Sequence, residues 1–189
     1  MKDIEIEIQV RVEKVENLTK FLDMEGKFVA EEYQKDEYFT PAHRNFLEPK
    51  QVDEWLRLRK SSKDSVAYKL WHRNTEGKST YCDEYETEVA DIESMRKIFG
   101  VLDIAPIAVV EKKRKIWMYK DWEFAIDSVS GLGDFVEIEY KGHKQVESEE
   151  VIKEMIAFLK KIGVGKIEIN QVGYPFLALF GVENQFEEV

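Results

Sequence analysis

The chain has 189 residues, 38 acidic against 28 basic for a formal net charge of -10, and one cysteine, with 43% hydrophobic and 12% aromatic residues. That balance excludes a disordered chain, a cysteine metal cluster and an intrachain disulfide, and it argues against general binding to nucleic acid or to an anionic membrane. The opening MKDIEIEIQV does not read as a signal peptide and no apolar run approaches a membrane span, so a cytoplasmic protein with a single domain over 1–189 is expected.

Residues 4–12 alternate Ile4, Ile6, Ile8, Val10 and Val12 against Glu5, Glu7, Gln9 and Arg11, the period of a strand. Helical spacing follows over 15–29 through Leu18, Phe21, Leu22 and Phe28, with Gly26 weakening its later part. Shorter strands are expected at 33–39 and 55–60, around a loop punctuated by Pro41 and Pro49. A hairpin follows, 66–73 returning over 80–89, and then Asp91 as the N-cap of a helix carrying Ile92, Met95, Ile98 and Phe99. Residues 107–119 read as a long strand with Lys112 and Arg114 on one face.

The next stretch, WEFAIDSVSGLGDFVEIEY over 122–140, is two alternating runs around Gly131 and Gly133, which supply the positive φ a tight reversal needs. A turn centred on Leu132 would set Asp127 opposite Glu137 and Ala125 opposite Glu139, on one face. Like charges across a ladder repel, so Asp127, Glu137 and Glu139 need water or a cation. Ser148 is expected to cap a helix ending near Gly163, followed by a short strand at 166–170, an apolar segment at 174–180 and a solvated acidic tail at 183–188.

Eight strands between 4 and 140 carry apolar residues on one face and charges on the other. Alternation alone fits an open sheet with a wet face as well as a closed barrel with a charged lumen. The charged faces hold Glu5, Glu7, Glu84, Glu86, Glu88, Asp127, Glu137 and Glu139, together with Arg57, Arg59, Lys69, Arg73, Lys112 and Arg114. Carboxylates without His or Cys partners favour hard cations such as Mg²⁺ or Mn²⁺, and converging Arg and Lys suit phosphate oxygens. A polyphosphate bound through metal fits both sets.

Several motifs together resemble the CYTH superfamily, the triphosphate tunnel metalloenzymes, and among them class IV adenylyl cyclases, over residues 2–179. They are Glu5-x-Glu7, the LRLR run with Arg57 and Arg59, Lys69, the V-x-K-x-R-x-x-W run over 110–117, and D-x-V-x-G-L-G-D-F-V-E-I-E over 127–139. The resemblance implies an α+β fold, an antiparallel eight-stranded closed β-barrel or tunnel with helices packed outside, that binds a triphosphate with Mg²⁺ or Mn²⁺. It implies metal-binding acids at Glu5, Glu7 and Glu137, with Asp127 and Glu139 in or beside that cluster. It implies phosphate-binding bases at Arg57, Arg59, Lys69, Lys112 and Arg114, and a catalytic set of Glu5, Glu7, Lys112, Arg114, Asp127 and Glu137.

One position departs from the family pattern E-x-E-x-K. Gln9 stands where the lysine belongs, keeping hydrogen-bonding capacity but losing the charge. The implied reaction is conversion of ATP to 3′,5′-cyclic AMP and pyrophosphate; the alternatives are a triphosphatase acting on tripolyphosphate, thiamine triphosphate or a nucleotide, and a non-catalytic polyphosphate binder. The expected partner is a small triphosphate, and homodimer contacts are one way to close an open tunnel end. His43, His72 and His143 lie outside the motifs, so no general base is assigned. The four tryptophans are expected in wall and helix packing, Asp36 in a structural role, and Glu84, Glu86 and Glu88 either beside the metal or paired with Arg and Lys.

Overall fold

The computed structural model describes residues 4–49, 51–77, 79–142 and 146–189. The strands are β1 (Ile4–Glu5), β2 (Glu7–Val12), β3 (Lys27–Pro41), β4 (Glu54–Lys60), β5 (Ser65–Arg73), β6 (Ser79–Glu88), β7 (Ile104–Tyr119), β8 (Trp122–Val129), β9 (Gly133–Tyr140), β10 (Ile167–Asn170) and β11 (Phe186–Glu188). The helices are α1 (Val15–Glu25), α2 (Ile92–Val101), α3 (Ser148–Ile162) and α4 (Gly173–Phe180). All strands join one sheet in the order β1-β6-β5-β4-β3-β7-β8-β9-β2-β10-β11. The two halves of the N-terminal strand, separated only by Ile6, stand at different places in that order. Ile4 and Glu5 pair with β6 while Glu7 to Val10 pair with β9, so one strand bridges the ends and a ring of eight antiparallel strands closes. β10 and β11 continue the sheet beyond β2.

Closure sorts the side chains. Outward Ile6, Ile8, Val10, Phe124, Val136 and Ile138 pack under α1 through Leu18 and Leu22 and under α3 through Val151, Met155 and Leu159. On another side Ile92 and Phe99 of α2 cover Phe39 and Leu58. Removing a fully buried branched side chain here leaves a cavity, so Leu159→Ala is expected to lower unfolding free energy by about 2–5 kcal/mol in a urea titration. A loss below about 1 kcal/mol would mean α3 does not seal the barrel wall. One end of the lumen is itself apolar: Tyr38, Trp55, Val110 and Phe135, on the charged face by strand parity, pack with Tyr174 and Leu177 of α4, which plugs that end.

Four local expectations need correction. Helix α1 stops at Glu25 and residues 27–41 form one long strand, because a bulge between Phe28 and Ala30 breaks the alternation that would have marked it. In the 122–140 hairpin Val129 pairs with Gly133, so Glu137 faces Ala125, Glu139 faces Glu123 and Asp127 faces Phe135. Gly131 and Gly133, at φ 75° and 93°, make the turn one residue earlier than Leu132. The pairing sum moves by two, and the side-chain face is preserved. Ser148 is the first residue of α3, whose cap position is Glu147. The acidic tail is not all solvated chain, since β11 pairs with β10 and Lys166 Nζ lies 3.1 Å from Glu188.

Candidate active site

Every strand of the ring places a charged side chain in the lumen, in a cavity of about 700 Å³. Parity puts Glu5, Glu7 and Gln9 on one wall and Glu137 and Glu139 beside them, with Glu7 directly across from Glu139 and Gln9 across from Glu137. Arg57 and Arg59 on β4, Lys69 on β5, and Lys112 and Arg114 on β7 face them. Nine of the ten expected site residues therefore line one lumen, and the tenth, Asp127, is fully buried behind Lys112 and Arg114. The expected acid-rich face of β6 also turns inward, where Glu84 meets Lys69 at 3.2 Å and Arg57 at 3.5 Å, and Glu86 meets Arg57 at 3.4 Å. Glu88 pairs with Lys63 at the surface.

Each base is held by a specific partner. Asp36, 1% exposed, accepts both Nε and a terminal nitrogen of Arg59 at 2.7 Å, a bidentate grip that aims the guanidinium. Asp127 is fully buried and accepts from four donors: Lys112 at 3.2 Å, Arg114 at 2.7 and 2.6 Å, and the Tyr174 hydroxyl at 2.8 Å. Its oxygens are thus committed to the cationic wall and to the α4 plug. Burial would raise its carboxyl, but Lys112 and Arg114 hold it below the ordinary value. Burial and the neighbouring Arg114 lower Lys112 to about 8 against the pull of Asp127.

The acidic wall is less well compensated. Lys69 Nζ lies 2.6 Å from Glu5 and 3.8 Å from Glu7, and the Cys82 thiol also reaches Glu5 at 3.0 Å. Burial would raise Glu5, yet Lys69 brings it down to about 2. Glu7 moves the other way: burial, then Glu5, outweighs Lys69, and Glu137 and Glu139 push it further up. Burial and Glu5 push Glu139 to about 7 despite Lys141, and burial with Glu5 takes Glu84 to about 7 despite Lys69. Glu137 stays low, because Arg114 at 2.8 Å and Lys112 overcome its burial.

Among the described residues no three acidic, thiol or imidazole groups are already gathered as a metal cage, and Lys69 and Arg114 lie between the acids. The donors nevertheless fit a hard divalent cation in kind, all being carboxylate oxygens, and the raised carboxyls of Glu7 and Glu139 mark acids that Lys69 and Lys141 do not fully compensate. A pH dependence follows. Glu84 and Glu139 have folded values of about 7 against 4.5, so the folded chain holds more protons in that window and stability falls as pH rises through it. The melting temperature of metal-free protein is expected to decline between pH 5 and 7.5, and Mn²⁺ to flatten the decline; a rise over that range would contradict the placement of these acids.

The remaining singled-out residues sort by face. Trp117 and Trp122 pack in the outer core, while Trp55 and Trp71 belong to the cluster around the plug. His72 stacks on Tyr81 and meets Asp83 at 3.0 Å on the outer face, and His143 lies outside the described residues. Sequence reasoning passed over Tyr174 and Asn170, which reach the site from the tail. Asn170 accepts from the backbone N–H groups of Val172 and Gly173, so the N-x-x-G spacing at 170–173 was an available turn signal.

Comparison with known proteins follows the same outline. Residues 3–174 match the CYTH domain. The chain is 33% identical over 173 residues to a Methanocaldococcus jannaschii protein named "Putative adenylate cyclase MJ0240", covering 90% of this chain and 96% of that one. In fold it is similar to the PH1819 protein of Pyrococcus horikoshii, with a TM-score of 0.73, 24% identity and coverage of 87% and 93%. It is also similar to HpAC1 of Hippeastrum, described as having a dominant triphosphatase activity, with a TM-score of 0.63, 20% identity and coverage of 93% and 94%. A closed ring of eight strands with two opposed charged walls, matched over nearly its whole length, makes this chain a member of the CYTH domain family of enzymes.

Proposed function

We propose that this enzyme converts ATP to 3′,5′-cyclic AMP and pyrophosphate inside the barrel, with a divalent cation, Mg²⁺ or Mn²⁺, held by Glu5, Glu7, Glu137 and Glu139. The observation that carries the reading is the meeting of an undercompensated acidic wall with five buried or half-buried bases across one cavity. Its volume of about 700 Å³ leaves room for a nucleoside beside a triphosphate, and the Methanocaldococcus relative bears a cyclase name. When bound, the cation supplies Lewis-acid polarisation of phosphoryl oxygens.

The chain's own residues do the rest. Arg57, Arg59, Lys69, Lys112 and Arg114 bind the triphosphate oxygens and offset the charge that develops on pyrophosphate as the ribose 3′ oxygen attacks the α-phosphorus. Asp36 and Asp127 act as positioning residues, fixing Arg59 and the Lys112–Arg114 pair before substrate arrives. The α4 plug, tied to Asp127 through Tyr174, shuts one end of the lumen against water. No side chain is required as nucleophile.

A second reading is hydrolysis of a triphosphate. It is favoured by the cationic wall itself, which reads phosphates and would serve tripolyphosphate or thiamine triphosphate equally. Product chromatography separates the two, with each substrate incubated with Mg²⁺ or Mn²⁺. Cyclic AMP with equimolar pyrophosphate is the expected result from ATP; orthophosphate without cyclic product would replace the first reading by the second.

A further inference from the structure

Glu137 is held from two sides. Arg114 takes one oxygen at 2.8 Å, and the Gln9 side-chain amide donates to the other at 3.1 Å. An amide can present either its N–H₂ or its oxygen, so something must decide which way Gln9 faces. The decision comes from the tail. Asn170, 7% exposed at the end of β10, accepts on Oδ1 from the backbone N–H groups of Val172 at 3.1 Å and Gly173 at 3.2 Å.

Backbone donors cannot be exchanged for acceptors, so the Asn170 amide is fixed with Nδ2 pointing the other way. That Nδ2 donates to Gln9 Oε1. With its oxygen so engaged, Gln9 has only N–H left for Glu137. Three hydrogen-bonded links therefore run in one polarity, from the chain turn at 172–173 through two neutral amides to a carboxylate of the candidate metal wall.

We infer that Asn170 is a positioning residue which, through Gln9, fixes the orientation of the Glu137 carboxylate, and that Gln9 and Asn170 act as one unit. This rests on the proposed role of Glu137 at the metal. The chemistry of the pair makes a reversal possible. In Asn170→Asp the donor to Gln9 is lost and a second acceptor takes its place, so Gln9 turns its N–H₂ toward Asp and its oxygen toward Glu137, setting acceptor against carboxylate. In Gln9→Lys alone, an ammonium meets the Asn170 donor. Only the double variant Gln9→Lys/Asn170→Asp restores complementary links, because the ammonium can donate to both acids.

The experiment measures Mn²⁺ affinity by calorimetry without substrate, together with kcat and KM for the triphosphate that turns over. The variants are Asn170→Asp, Gln9→Lys, the double variant and Glu137→Gln. Asn170→Asp is expected to weaken Mn²⁺ binding and lower kcat by about tenfold each, with KM changed little because the cationic wall is untouched. The double variant is expected to recover most of both. A merely structural Asn170 would give no such rescue. Asn170→Ser, which keeps an acceptor for the turn but no donor that reaches Gln9, covers the case in which the aspartate does not fold, and is expected to show smaller losses in the same direction, because Gln9 is freed rather than reversed.

If Glu137→Gln weakens Mn²⁺ binding while Asn170→Asp and Asn170→Ser do not, the relay is wrong although the site stands. If Glu137→Gln itself leaves Mn²⁺ affinity unchanged, the role of Glu137 fails and the relay with it.

Discussion

Glu7→Gln is expected to make the metal-free protein more stable and, at the same time, to remove about 10²–10³-fold of its triphosphate turnover. The two effects have one cause. Glu7 is buried opposite Glu139, and burial together with Glu5, Glu137 and Glu139 raises its carboxyl well above the ordinary value against the pull of Lys69. An acid with a raised folded value holds a proton that the unfolded chain releases, so it costs stability as pH climbs from 4.5 toward the folded value. Glutamine has no such cost. The gain in melting temperature should be near zero at pH 4 and grow to about 3–6 °C by pH 7.5, read by a pH series of thermal melts. A variant less stable than the parent at pH 7.5 would show that Lys69 already satisfies Glu7 and that the acidic wall holds no surplus charge.

Asp127→Asn is expected to act in the opposite sense. Asp127 is fully buried and meets Lys112, Arg114 and the Tyr174 hydroxyl. Breaking such a cluster from the acidic side leaves the buried Lys112 unpaired and Arg114 with Glu137 alone, at a cost of about 3–5 kcal/mol. Because its carboxyl is held below the ordinary value, its contribution is present above pH 4 and lost as pH falls through the folded value. Tripolyphosphate, whose oxygens can replace the missing carboxylate, should raise the melting temperature of Asp127→Asn more than that of the parent. Equal shifts would mean that Lys112 and Arg114 do not face bound phosphate. The pair of variants thus distinguishes an acid that waits for a cation from an acid that organises bases, although both sit on alternating strands with similar local sequence.

That distinction marks where the sequence stops being readable. Alternation exposes the inward faces, since Glu5, Glu7 and Gln9 or Lys112 and Arg114 stand two apart whatever the sheet does. Closure is another matter: it depends on β1 pairing with β6 and β2 with β9, contacts more than seventy and more than one hundred and twenty residues apart, which no local period encodes. The register of the 122–140 hairpin was missed by two in the pairing sum because two glycines offer two turn placements, yet an even slip leaves Asp127, Glu137 and Glu139 on their face. Residue identity cannot separate Asp127 from Glu7, since only the tertiary arrangement hands the first two cations and the second three acids. Asn170 and Tyr174 were hidden for the same reason; nothing in a short tail says which strand it will join.

Acids and bases on opposite walls are expected to bind a cation and a triphosphate as one unit. Calorimetric titration of tripolyphosphate into the parent protein, with and without saturating Mn²⁺, tests it most directly. Mn²⁺ is expected to tighten tripolyphosphate binding by at least about tenfold, tripolyphosphate to tighten Mn²⁺ binding by the same factor, and Glu7→Gln to abolish the coupling. Tripolyphosphate bound equally well with and without Mn²⁺ would contradict it, leaving a cationic tunnel whose carboxylates serve only to hold its bases in place.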